Sequence, residues 1–170
     1  MSTKKDKFSF KDKFYMELAL DLARARGGHT GTNPSVGCVI VKNDEIVSIG
    51  QTSFSGRPHA ETNAIKNTFE DLKGSKMYVT LEPCSHHGVT PPCTSSIIKS
   101  KISEVIYSVI DVDKRVKDKT FKILETRNIN DKKGVLKDKV NHFYLPYFFN
   151  RKNKLTYVSG KLAVAKNHII

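Results

Sequence analysis

Pro-His-Ala-Glu-Thr-Asn-Ala (58–64) and Leu-Glu-Pro-Cys-Ser-His-His-Gly-Val-Thr-Pro-Pro-Cys (81–93) bracket the stretch whose chemistry organises the chain. Between them they offer one imidazole, two thiols and a carboxylate. Zinc in a catalytic site takes three protein ligands and keeps a fourth position open, whereas a structural site is closed by four. His59, Cys84 and Cys93 supply three, so they are read as ligands of a catalytic Zn2+. Adjacent His86 and His87 offer the fourth donor that a closed structural site would need, and spacing alone does not exclude them. Glu61 follows His59 by two positions at the start of an expected helix. There it can face the same pocket without ligating, and take a proton from an attacking water and return it to a leaving amine. Pro58 and Pro83 each precede a ligand and restrict the backbone at that point.

Outward from this stretch the chain alternates helix and strand. Apolar residues Phe14, Tyr15, Leu18, Ala19, Leu22 and Ala23 recur at helical spacing, predicting a helix from Asp12 to Arg26 that stops at Gly27-Gly28. Ser35 to Val41 reads as a buried strand, and Asn43-Asp44 as a tight turn into a second strand at Ile46–Ile49. A helix is expected over Ala60–Leu72, a strand over Lys76–Leu81, a short helix from Cys93 to Lys99, a strand over Glu104–Ile110 and a helix over Val116–Arg127. A weak strand is expected around Val135 and a helix over Lys137–Phe149 despite Pro146, followed by a β-like run at Leu155–Val158. This order argues for α/β architecture around a mixed sheet. Residues 1–11 are expected to be frayed, residues 12–150 to form one domain, and residues 151–170 a tail. Cys38 reads as a buried apolar residue.

At 170 residues the chain suits a single core. Its 38% hydrophobic and 27% charged residues exclude a disordered chain, and no apolar run suggests a membrane span. The three cysteines and the basic N-terminus without an apolar core point to a cytoplasmic protein with reduced thiols. The net charge of +12 raises the question of nucleic acid. The excess lies after the motif and is mostly lysine, which lacks the arginine fork for phosphate and guanine, so nucleic acid is not the expected partner.

His59-Ala60-Glu61, Thr80 to Gly88 and Thr90-Pro91-Pro92-Cys93 follow the His-x-Glu and Pro-Cys pattern of zinc deaminases. More specifically, they resemble the deaminase domain of the bifunctional riboflavin-biosynthesis deaminase/reductase, a member of the cytidine-deaminase-like superfamily. Most of that superfamily places two residues between the paired cysteines. This chain places the longer Ser-His-His-Gly-Val-Thr-Pro-Pro there, as the riboflavin family does, and Asn33-Pro34-Ser35-Val36-Gly37 matches a second family segment. The resemblance implies a three-layer α/β/α sandwich around a mixed sheet. It also implies hydrolytic deamination of a diaminopyrimidinone carrying a ribosylamino phosphate to the corresponding pyrimidinedione plus ammonia. Substrate contacts are then expected at Asn33, Ser85, His86 and Asp111. Another pyrimidine or purine substrate, or a deaminase-like protein that binds tRNA, is the alternative. The family has Lys or Arg where this chain has Val89, His where it has Thr52, and a Pro- and Gly-rich segment where it has residues 111–120. Lys114, Arg115 or Lys117 there stand either as replacement phosphate contacts or as a solvated helix start. Tyr157 to Ala163 resembles the first strand of the reductase domain, so a separate reductase enters as an expected partner. A homo-oligomer fits the superfamily's habit, with the aromatics of 143–149 either covering a neighbour or closing the domain's own core.

Overall fold

The computed structural model describes residues 7–163. Its first helix, α1 (Phe10–Ala25), starts two residues before the expected position because Ser9 caps it. The Ser9 Oγ accepts the Asp12 N–H while the Asp12 carboxylate accepts the Ser9 N–H, a reciprocal capping box. Residues 10 and 11 are thus helical rather than frayed. Tyr15, Met16, Ala19, Leu20 and Ala23 are buried. The expected stripe is rotated, since Phe14 is 54% exposed and Met16 and Leu20 take the inner positions.

Strands β1 (Gly37–Lys42) and β2 (Glu45–Gln51) form a hairpin through Asn43 and Asp44, both at positive φ, as a two-residue turn of this hand requires. A single 3-10 turn (Phe54–Gly56) leads to α2 (Ala60–Lys66), then β3 (Lys76–Leu81), α3 (Cys93–Lys99), β4 (Glu104–Val109), α4 (Thr120–Glu125), β5 (Asn130–Lys133) and α5 (Lys137–Asn153). The five strands lie in the order β2-β1-β3-β4-β5. The β1 strand is antiparallel to β2 and β3, and β3, β4 and β5 run parallel, so the sheet is mixed as expected.

Side chains alternate across this sheet, and each face has its own core. Val39, Val41, Tyr78 and Ile106 meet Tyr15, Met16 and Ala19 of α1. Cys38, Ile40, Met77, Val79 and Val105 belong to the larger cluster that includes Ala60, Ala64 and Ile97. Cys38 is fully buried there. The Tyr144 side chain of α5 is also fully buried, and its hydroxyl donates to Ser35 O (2.8 Å) and pairs with Thr80 Oγ1 (2.7 Å). That bond network fastens α5 to the sheet behind the site. The aromatics of 143–149 therefore help to close the chain's own core, with Phe143, Tyr147 and Phe148 packed against it.

Four expected boundaries move. The helix from Ala60 stops at Lys66 rather than Leu72, because polar side chains recapture the backbone. Asn67 Nδ2 donates to Ile49 O, and Thr68 and Asp71 side chains accept the N–H groups of Glu70 and Lys73. Leu72 still reaches the core from the loop. The helix expected over 116–127 is confined to Thr120–Glu125, and the weak strand near Val135 is instead the polar Asn130–Lys133, with Val135 buried just beyond it. The last helix runs on to Asn153, past the expected domain limit at 150. Leu155–Val158 forms no strand, and both end residues are exposed. Among the described residues, no helix is long and apolar enough to cross a membrane.

Candidate metal centre and active-site cavity

The site lies beyond the carboxyl ends of parallel strands β3 and β4, where α/β sheets open a crevice. Its first wall is α2, seated on β2 at Gly50. A Cβ there would stand 2.3 Å from Ala60 O and 2.4 Å from Ala64 N, so only glycine lets the helix this close. His59 caps α2 in extended conformation and Glu61 occupies its first turn. Cys84 follows β3 through Pro83, and Cys93 is the first residue of α3.

These pieces bring His59 Nδ1 to 3.6 Å from Cys84 Sγ and 3.4 Å from Cys93 Sγ. All three donor atoms lie within 4.8 Å of one another. Tetrahedral zinc with ordinary Zn–N and Zn–S lengths spaces a nitrogen and a sulfur ligand by about 3.6 Å, so the observed spacings fit that ion. The Cys93 N–H donates to Cys84 Sγ at 3.2 Å. The Cys84 thiol is pulled down to about 4, first by its hydrogen bond with Cys93 and then by His59, which favours a thiolate ligand. His86 and His87 do not join the donor group, so a site closed by either finds no support among the described residues.

A cavity of about 370 Å³ opens beside these donors. His59, Glu61 and Cys84 form its inner end, while Cys93 is buried behind them. The Glu61 side chain is 3% exposed, and burial pushes its carboxyl above the ordinary value against the pull of His59. Of the residues expected to contact substrate, Asn33, His86 and Asp111 line this space. Asn33 Nδ2 donates to Gly56 O at 3.3 Å. Gly56 has φ +89°, and a Cβ on it would stand 2.3 Å from that amide nitrogen, so glycine is what lets Asn33 hold its place. His86 Nδ1 is buried with no partner in the protein. Asp111 Oδ1 accepts the Asp113 N–H (2.9 Å) and the Tyr147 hydroxyl (3.3 Å), while burial raises its carboxyl. Ser85 lies outside the lining, its hydroxyl buried without a protein partner.

Thr52 faces the cavity, and its Oγ1 accepts the Val36 N–H and donates to Pro34 O, bracing the segment that carries Asn33. Val89 is 85% exposed at the lip. Sequence reasoning missed Glu82, whose carboxylate accepts the N–H groups of Asp111, Asp118 and Thr120, each at 3.3 Å. It also missed Arg57, Tyr147 and Arg151 in the lining.

Residues 9–109 match the family model of the cytidine and deoxycytidylate deaminase zinc-binding region. The chain is 40% identical over 152 residues to riboflavin biosynthesis protein RibD of Aquifex aeolicus, covering 89% of this chain and 43% of that protein. It is 43% identical over 141 residues to the diaminohydroxyphosphoribosylamino-pyrimidine deaminase of Buchnera aphidicola subsp. Schizaphis graminum, covering 83% of this chain and 95% of that one. Its fold superposes on Acinetobacter baumannii RibD with a TM-score of 0.81 at 33% identity, covering 86% of this chain and 42% of that one. The chain thus spans less than half the length of the RibD proteins it matches. With the donor group, the sheet and the sequence match all in agreement, the chain belongs to the cytidine and deoxycytidylate deaminase zinc-binding family.

Proposed function

We propose that the chain is a zinc-dependent hydrolytic deaminase of riboflavin biosynthesis. It would convert the phosphorylated diamino-ribosylamino-pyrimidinone to the amino-ribosylamino-pyrimidinedione phosphate and ammonia. The observation that carries this reading is one three-donor group with a buried glutamate beside it, in a chain that matches nearly the whole of a relative named for that deamination.

His59, Cys84 and Cys93 would hold the zinc. When bound, zinc supplies the Lewis acidity that makes water nucleophilic near neutral pH. Glu61 takes a proton from the attacking water as the new C–O bond forms at the ring carbon. It delivers that proton to the exocyclic nitrogen as the C–N bond breaks and ammonia leaves, and the water's second proton passes from the new hydroxyl to the ring nitrogen, so that a ring carbonyl remains. Asn33, His86 and Asp111 orient the heterocycle, offering an amide, an imidazole and a carboxylate to its mixed donors and acceptors.

Ammonia release from the phosphorylated pyrimidine, measured with metal content on the same sample, tests the reading. Glu61→Ala should lower turnover by about a hundredfold or more while zinc stays bound at one per chain. Full activity in that variant would remove Glu61 from the mechanism.

A further inference from the structure

Three arginines line the cavity without taking part in the metal centre. Arg57 directs Nη1 to Thr90 Oγ1 at 3.2 Å. Arg115 closes a fork on Asp113, with Nη2 at 2.6 Å from Oδ2 and Nε at 3.0 Å from Oδ1. Arg151 lies over the Tyr147 ring, 5.4 Å from its centroid, and donates Nη2 to Thr32 O at 3.3 Å. A guanidinium carries five N–H donors, so each of these bonds orients its arginine and leaves donors over. The Nε–H of Arg151 is buried and meets no acceptor in the protein. A buried charged donor without an acceptor is costly, and a ligand oxygen would relieve that cost.

The carboxylates of the same cavity are engaged elsewhere. Glu61 stands at the metal centre, Glu82 takes three backbone N–H groups, and Asp111 takes the Asp113 N–H and the Tyr147 hydroxyl. Asp113 is neutralised by Arg115, whose fork holds its carboxyl far below the usual range. Glu82 and Asp111 are buried, whereas the Arg115 side chain is 62% exposed, so the acids form the floor and arginine reaches the rim. Val89 brings no charge to the lip, and Lys114 and Lys117 lie outside the lining.

We propose that Arg57, Arg115 and Arg151 form the subsite for the phosphate of the substrate, and so set the preference for a phosphorylated over an unphosphorylated pyrimidine. Planar, forked, permanently charged donors match phosphate oxygens better than a lysine point charge does. The site then has two ends. The metal centre takes the ring carbon that loses its amine, and the arginine rim takes the ribosyl phosphate that trails outward. This assignment rests on the deaminase reading above.

The test uses the zinc-loaded full chain and Arg57→Gln, Arg115→Gln and Arg151→Gln singly, each checked for zinc content and melting temperature. Each should raise KM for the phosphorylated substrate about tenfold to a hundredfold with kcat little changed, while turnover of the dephosphorylated analogue stays as it was. Binding of ribose 5-phosphate, followed by calorimetry, should weaken by a similar factor. Unchanged ribose 5-phosphate binding in the variants, or parallel losses on both substrates, overturns the assignment. If the wild-type chain binds ribose 5-phosphate through these arginines yet releases no ammonia, the subsite stands and the deaminase reading falls.

Discussion

Asp12 serves two partners at once. Its carboxylate closes the capping box with Ser9 and accepts the Tyr78 hydroxyl at 2.8 Å. Burial pushes that carboxyl up, but the bonds from Tyr78 and Ser9 outweigh it and hold it below the ordinary 3.8. A depressed folded-state value means stability that is present above the ordinary value and lost as pH falls through the lower one. Asp12→Asn should therefore cost about 1 kcal/mol at neutral pH and flatten the acid limb of a denaturation series below pH 4. An unchanged acid limb would show that Asp12 does not couple folding to pH. At this scale the donor group of His59, Cys84 and Cys93 could be read from sequence because zinc chemistry restricts residue type and spacing so severely. Glu82 sits in the same Glu-Pro-Cys run and still escaped notice, because what it does is accept three N–H groups from a segment that arrives only after β4. Arg57, Tyr147 and Arg151 were illegible for the same reason. Ordinary surface residue types become site residues only once distant segments converge.

Helix α2 carries both His59 and Glu61, so its placement matters more than its length. That placement depends on Gly50, where any side chain would strike the backbone of Ala60 and Ala64. Gly50→Ala should lower stability by about 1–3 kcal/mol and weaken zinc binding more than a substitution of similar cost remote from α2. Metal titration of the two variants side by side would expose the difference, and equal zinc affinity would mean that α2 is positioned from elsewhere. The Asn-Asp hairpin turn, the buried strands and α3 were visible in the sequence because local chemistry and burial agreed there. The strand Asn130–Lys133 was not, because its Asn-Asp-Lys-Lys sequence has no apolar alternation and only its pairing with β4 makes it a strand. The end of α2 was missed because Leu72 continued the apolar pattern after Asn67, Thr68 and Asp71 had already turned the chain.

Across the whole molecule, the three donors come from the start of α2, the segment after β3 and the start of α3. Zinc would thus cross-link three parts of the chain and reinforce the Thr94 N–H to Cys84 O bond that already ties two of them. Stripping it with a chelator should lower the melting temperature, and re-adding zinc should restore it. The stabilisation is about 3 kcal/mol when free metal is a hundredfold above its dissociation constant. A melting temperature indifferent to chelation would mean that the ion contributes chemistry without holding the fold. The outer strand has a consequence of another kind. β5 ends the sheet, and its polar residues leave no sticky border: Lys132 pairs with Glu104 at 2.7 Å and Lys133 with Asp118 at 3.7 Å. An incoming strand would have to lie along lysine, so this border resists the edge-to-edge growth that leads to fibrils and tangled aggregates.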